Sequence, residues 1–234
     1  MKIEKASKIK NSPEKRQYAD ACAAAHALDL VGERWALPVM RELMFGPKRF
    51  TDLRRDLPAI SANVLTQRLE GLEAAGVLIR RKLPPPAAAW VYELTAWGYA
   101  SEPIFKVLGR WGAMSPFHDP SQPISANSVL LSFRTMIDPE KARGISARIG
   151  FQFREESFVG EIDDGDIRIS RGEVSAVDVC FRGAPDALIA AVYGKTPLDA
   201  LAVDGALAVT GDRALADRFV GLFSLPEKAA LVAA

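Results

Sequence analysis

Cysteine and histidine are scarce in this chain, with only Cys22, Cys180, His26 and His118 among 234 residues. Two distant cysteines cannot form the disulfide framework of a small secreted fold, so a reducing cytoplasm is the expected setting. Two histidines, one in an alanine-rich stretch and one in a proline-rich stretch, are too few to suggest a metal site. Asp163, Asp164 and Asp166 form an acidic cluster, which a tight hairpin around Gly165 explains more simply than calcium does. The chain has no glycine-rich phosphate loop, nucleophile elbow or paired-carboxylate motif, so no catalytic residue and no cofactor is assigned. No apolar run reaches the roughly 18 residues of a membrane span, and the start MKIEKASKIK lacks the apolar core of a signal peptide.

What remains is a globular composition, 49% hydrophobic and 25% charged, whose net charge of +1 hides an asymmetry. Residues 1–115 carry 18 Lys/Arg against 12 Asp/Glu, and residues 116–234 carry 12 against 17. A basic half that can meet phosphates is thus joined to an acidic half that cannot. Pro116, Pro120 and Pro123, with interspersed serines, mark the seam as an extended connection. The expected division is a first domain over 1–114, a linker over 115–126 and a second domain over 127–234.

In the first half, Leu65, Leu69 and Leu72 recur at i, i+4, i+7 and predict one buried stripe of a helix. Ser61 stands before it as an N-cap and Gly76 after it as the stop. Asn63, Gln67, Glu70 and Ala74 fall on the opposite face. Before it, helices are expected from Asp20 to Val31, from Glu33 to Phe45 with an awkward Pro38 inside, and from Asp52 to Leu57 capped by Thr51. After it, strands over Val77–Leu83 and Trp90–Leu94 flank a PPPAAA tip. Thr95 then caps a last helix that ends at Trp111-Gly112 and contains Pro103. Lys48, Arg49, Arg54, Arg55, Arg80, Arg81 and Lys82 surround the polar helix face. Cations that hold phosphates beside amides that reach base edges are what major-groove reading requires, so this is a winged helix-turn-helix. The residues expected to contact DNA are Arg49, Ser61, Asn63, Thr66, Gln67, Arg80, Arg81 and Lys82.

In the second half the period changes. A helix over Ser128–Met136 precedes alternating runs at Ile149, Phe151 and Phe153, at Phe158 and Ile162, at Ile167 and Ile169, and at Val177, Val179 and Phe181. Pro185 opens a helix ended by Gly194, Leu207 and Val209 make a fifth strand, and Asp212 caps a final helix. Eight of the eleven phenylalanines lie in this half. A ligand pocket here would draw on Phe133, Phe151, Phe153, Phe158, Phe181, Tyr193, Phe219 and Phe223, unless those aromatics simply fill the core.

Two resemblances follow from these residues. Residues 15–112 resemble the HxlR-type winged-helix regulators through Cys22, Leu30-Val31-Gly32, Trp35, Arg41-Glu42-Leu43, Gly46-Pro47, Arg49-Phe50 and Ile60-Ser61. Leu65-Thr66, Leu69, Leu72, Gly76, Arg80-Arg81 and Tyr92-Glu93-Leu94-Thr95 continue the match. This implies a homodimer built on the first and last helices of the domain, bound to a near-palindromic double-stranded DNA operator. Some members use the cysteine matching Cys22 as a redox sensor, although Ala23 here replaces the family's usual following proline.

The stretch from Phe158 to Phe223 resembles sterol carrier protein type 2 domains through Asp164-Gly165-Asp166-Ile167, Gly172, Val177-Asp178-Val179, Gly183 to Leu188, Gly194-Lys195, Pro197-Leu198, Asp204 to Leu207 and Gly211-Asp212. That implies an α+β domain with a five-stranded sheet and an apolar tunnel. The whole chain is therefore expected to be a mainly α winged helix-turn-helix followed by such a domain. Its expected role is a homodimeric transcription regulator, a repressor, tuned by an apolar small molecule. Redox sensing through Cys22 is one alternative. A lipid-binding or enzymatic protein that docks partners through its winged helix is another.

Overall fold

The computed structural model describes residues 17–231. The first domain contains α1 (Ala23–Val31), α2 (Ala36–Leu43), α3 (Phe50–Asp56) and α4 (Ala62–Ala74), followed by the hairpin β1 (Leu78–Lys82) and β2 (Trp90–Leu94), then α5 (Ala96–Tyr99) and α6 (Glu102–Ala113). Ser61 caps α4 as expected, its hydroxyl accepting from the Val64 N–H, and Gly76 beyond the helix takes φ +72°, which favours glycine. Leu65, Leu69 and Leu72 are the buried residues of α4.

Both awkward prolines are explained by where helices begin. Helix α2 starts at Ala36, so Pro38 lies in its first turn, where a backbone N–H has no intrahelical partner. Thr95 caps only the short α5, and the chain breaks at Ala100-Ser101 before α6 restarts with Pro103 in its own first turn. One continuous helix was expected, and there are two. Elsewhere α3 is capped at Arg49 rather than Thr51, and α1 at Cys22 rather than Asp20.

The second domain runs through α7 (Ala126–Met136), α8 (Pro139–Ala142), β3 (Ser146–Phe153), β4 (Glu156–Asp163), β5 (Asp166–Arg171), β6 (Val179–Gly183), α9 (Pro185–Val192), α10 (Leu198–Val203), β7 (Leu207–Gly211) and α11 (Arg213–Val220). Its five strands form one mixed sheet in the order β5-β4-β3-β6-β7, antiparallel except where β6 pairs parallel with β3. Register puts Phe158, Phe151, Phe181 and Val209 in one row across four strands, and α7, α9 and α11 cover that face. The short helices α8 and α10 carry too little periodicity to be legible in advance.

The two domains share one hydrophobic core, continuous from Val39 and Leu43 of α2 through Leu130 and Phe133 of α7 to the sheet. Polar contacts fasten the same seam. Arg134 pairs with Glu102 at 2.9 Å, and Arg171 Nε donates to the Phe45 carbonyl at 2.7 Å. Lys228 Nζ donates to the carbonyls of Ala113 and Ser115, at 3.0 Å each, closing the end of α6. The proline-rich segment joining α6 to α7 therefore does not separate independent bodies. Its last residues are structural: Ser125 caps α7, and the Ile124 N–H is bound by Asp186. Among the described residues no helix is long and apolar enough to cross a membrane.

Candidate nucleic-acid interface

Helix α4 buries its leucines and leaves Ser61, Asn63, Thr66, Gln67 and Glu70 exposed. Two of these side chains have local duties: the Ser61 hydroxyl accepts from Val64, and the Thr66 hydroxyl donates to the Ala62 carbonyl at 3.0 Å. Asn63 and Gln67, one turn apart, keep the paired donor and acceptor that can read a base edge. Strand alternation divides the wing's cations. Arg80 and Lys82 share one face of β1, opposite Tyr92 and Trp90 of β2, and the Arg80 guanidinium lies 4.8 Å from the Trp90 ring centroid. Arg81 points to the other face and pairs with Glu93, which holds the guanidinium above its ordinary pKa through a side-chain hydrogen bond. Arg81 is thus a wing-bracing residue in this geometry, while Arg80 and Lys82 face solvent. Arg49 is exposed at the start of α3.

Lys48 does not belong with the phosphate-facing cations. It is 3% exposed, because two backbone hydrogen bonds with Tyr92 pin it beside the wing and turn its side chain inward. There its ammonium meets three carboxylates: Asp56 at 2.6 Å, Glu42 at 3.3 Å and Glu156 at 3.7 Å. Each carboxylate is shared with an arginine, Arg55 on Asp56, Arg41 on Glu42 and Arg171 on Glu156. Glu42 is fully buried and also accepts from Ser125 Oγ at 2.7 Å, while its carbonyl accepts from Asn127 Nδ2 at 2.6 Å. This network joins α2 and α3 to β4, β5 and the start of α7. The sequence pointed to Glu42 only as part of the family resemblance and not to its burial, although a charge three residues after Val39, on the apolar face of α2, was the available signal.

Of the eight aromatic residues expected to wall a pocket, six pack on one another in the core, while Phe153 and Tyr193 each also border a cavity. Phe133 lies 4.6 Å from Phe223 and 5.6 Å from Phe219, Phe181 is 5.3 Å from Phe219, and Phe151 stacks on Phe181 at 6.2 Å. Phe133, Phe151, Phe158, Phe181, Phe219 and Phe223 are fully buried. They close the space between sheet and helices because flat rings at these separations leave no room for a guest. Two cavities instead lie along the domain seam. One, of about 1120 Å³, has a mixed lining and is bordered by Phe153 together with Arg49, Arg154, Arg171 and Arg182. The other, of about 470 Å³, is mostly apolar and is bordered by Tyr193. The sequence could not place either, since both are built from segments far apart in the chain.

Cys22 is exposed at the N-cap of α1. The Ala25 and Ala24 N–H groups hold its thiol below the ordinary pKa, the expected effect of a helix start on a sulfur anion. Helix α1 buries no residue, and α6 exposes Ile104, Val107, Leu108, Trp111 and Met114 along one side.

A model of the HxlR-like helix-turn-helix family matches residues 30–119, and one of the SCP-2 sterol transfer family matches residues 129–224. The HTH-type transcriptional regulator YodB of Bacillus subtilis (strain 168) is 35% identical over 85 residues, covering 36% of this chain and 76% of YodB. YtcD of the same organism, an uncharacterized HTH-type transcriptional regulator, is 36% identical over 103 residues, covering 43% of this chain and 78% of its own length. The solved structure of reduced YodB matches with a TM-score of 0.38 and 32% identity, covering 44% of this chain and 100% of that one. The chain belongs to the HxlR-like helix-turn-helix family of transcriptional regulators and carries, after that domain, one of the SCP-2 sterol transfer type.

Proposed function

We propose that this protein is a cytoplasmic repressor that binds a near-palindromic operator as a homodimer and is released or tightened by an apolar small molecule. The observation that carries the DNA reading is the exposed face of α4, where Asn63 and Gln67 stand free beside the Arg80 and Lys82 face of the wing. In this reading α4 enters the major groove, the two wing cations and Arg49 hold phosphates, and Arg81 keeps the wing rigid. The unpartnered apolar side of α6, together with α1, which buries no residue in this chain, supplies the dimer seam. The SCP-2-type match supports an oily effector. Titrating the protein onto a fluorescent palindromic duplex and a scrambled duplex across a salt series tests the reading. It predicts a steep salt slope on both and tighter binding to the palindrome alone. Equal, salt-insensitive binding to both would end it.

A second reading makes Cys22 the sensor, and the lowered thiol pKa at the start of α1 favours it. Oxidation at that position would act directly on α1. Peroxide that releases the wild type but not Cys22→Ser from the palindrome would establish it, and release of both would remove it.

A further inference from the structure

The apolar seam cavity of about 470 Å³ belongs to neither domain alone. Leu37 of α2 and Leu108 of α6 form one side, Leu131 and Met136 of α7 the other, and Ile189 and Tyr193 at α9 close the back. Its volume falls within the roughly 300–1,000 Å³ of small-molecule pockets, and such pockets favour domain interfaces. We propose that this cavity binds a neutral, largely apolar molecule carrying one hydroxyl, such as a medium-chain alcohol or a phenol.

Three observations lead there. The first is Gly109, in α6 at the mouth of the cavity, an exposed lining residue where an added Cβ would meet nothing within 4 Å. A glycine inside a helix is less favourable than alanine, so its cost is explained if the open space is needed. The second is the polar pair at the back. Tyr193 donates to Ser132 Oγ at 3.1 Å, and Ser132 donates onward to the Val129 carbonyl at 2.7 Å. Both hydroxyl protons are committed, so the pair can only accept from a guest. A hydroxyl satisfies that requirement, whereas an ionised carboxylate, having no proton to give, does not. The third is the rim, where charges are already matched. Arg41 holds Glu42 through Nε and Nη2, and Asp119 binds Ser121 and Gln122 and lies beside His118. Each cation among the lining residues therefore stands beside a carboxylate, and Arg110, outside the lining, is engaged by the Thr135 carbonyl.

The consequence for regulation rests on the effector reading above, but binding does not. A guest lodged between α2 and α6 on one side and α7 on the other touches the elements that join the domains, and Leu108 also belongs to the exposed side of α6.

Calorimetric titration of the full chain with 1-decanol and with decanoate is the test. Decanol should bind at least tenfold more tightly than decanoate. Gly109→Leu, which fills the open space on a helix that tolerates leucine, should weaken decanol at least tenfold while leaving the melting temperature unchanged or higher. Tyr193→Phe should weaken decanol several-fold and leave decyl methyl ether, which has no hydroxyl, unaffected. Decanol binding that survives Gly109→Leu, decanoate binding as tightly as decanol, or no binding of decanol up to its solubility would each overturn the site. Decanol that binds in the Gly109-dependent way yet leaves operator affinity unchanged would confirm the site and remove only the effector reading.

Discussion

Replacing Glu42 by alanine would take one of three carboxylates from the buried Lys48 ammonium and the paired carboxylate from Arg41, and would leave Ser125 Oγ only its contact with Ser128. Lys48 keeps Asp56 at 2.6 Å, so the expected cost is that of a charge-assisted hydrogen bond lost in the interior, about 1–3 kcal/mol, and not that of an unpaired buried charge. Urea unfolding of Glu42→Ala should show a loss of that order, and a loss below about 1 kcal/mol would mean that water reaches Lys48. The residues proposed to face DNA should behave differently from one another. Asn63→Ala and Gln67→Ala should each cost about 1–3 kcal/mol on the operator and little on a scrambled duplex. Arg80→Ala should weaken both and flatten the salt slope. Arg81→Ala should change the slope less than Arg80→Ala, because its guanidinium is spent on Glu93. Anisotropy titrations over a salt series distinguish all four. Cys22 should be alkylated by iodoacetamide faster than buried Cys180. Its rate should rise with pH through a midpoint below the ordinary thiol range, since the helix start favours the anion. At this scale Ser61 was legible because a cap is a local bond. Lys48 was not, because one carboxylate that buries it, Glu156, comes from the other half of the chain.

Glycines show how elements, rather than residues, set the cost of a change. Gly98 lies in α5 where an added Cβ would stand 2.2 Å from the Val77 carbonyl oxygen, so α5 can approach the wing only through a glycine. Gly98→Ala should lose roughly 1–3 kcal/mol, the scale of overpacking. Gly71 of α4 has nothing within 4 Å of the same added atom, and Gly71→Ala should gain roughly 0.5–1 kcal/mol of helix stability. Thermal melts of the two variants should move in opposite directions, and a shared direction would contradict the packing described. Strands β3 to β7 were legible from alternation because one face of each carries the large apolar residues, even where β3, β4 and β6 also bury small residues on the other. The break between α5 and α6 was not expected. Pro103 was the available signal, since its ring and missing N–H bar a continuous helix from bonding back to the Tyr99 carbonyl, while Gly98 seats the first helix against Val77.

Across the whole molecule, the proline-rich connection and the change in charge sign suggested two bodies on a linker, but the shared core and the Glu42–Lys48–Glu156 network make the seam part of the interior. Full-length protein should therefore unfold in one transition by both far-ultraviolet circular dichroism and tryptophan fluorescence. A chain ended at Ser115 would expose the α2 and α6 surfaces that meet α7, and it should be markedly less stable than the full chain or aggregate. Two well-separated transitions, or a shortened chain as stable as the whole, would restore the linker picture. Glu102 and Arg134 still form their ion pair at this seam, but a partly exposed pair contributes only about 0–1 kcal/mol and does not decide the matter.

The ammonium of Lys228 closes the carbonyls at the end of α6, yet it lies 115 residues downstream of Ala113. At ribosomal speeds of about 5–20 residues per second, α6 waits on the order of ten seconds for that lid after it has itself been made. During that interval the exposed apolar side of α6 and the uncovered seam face solvent together. Newborn chains on neighbouring ribosomes of one message would then meet through unfinished surfaces. Slowing translation of the second domain, for instance with rare codons, should raise the insoluble fraction of the protein without altering a single residue.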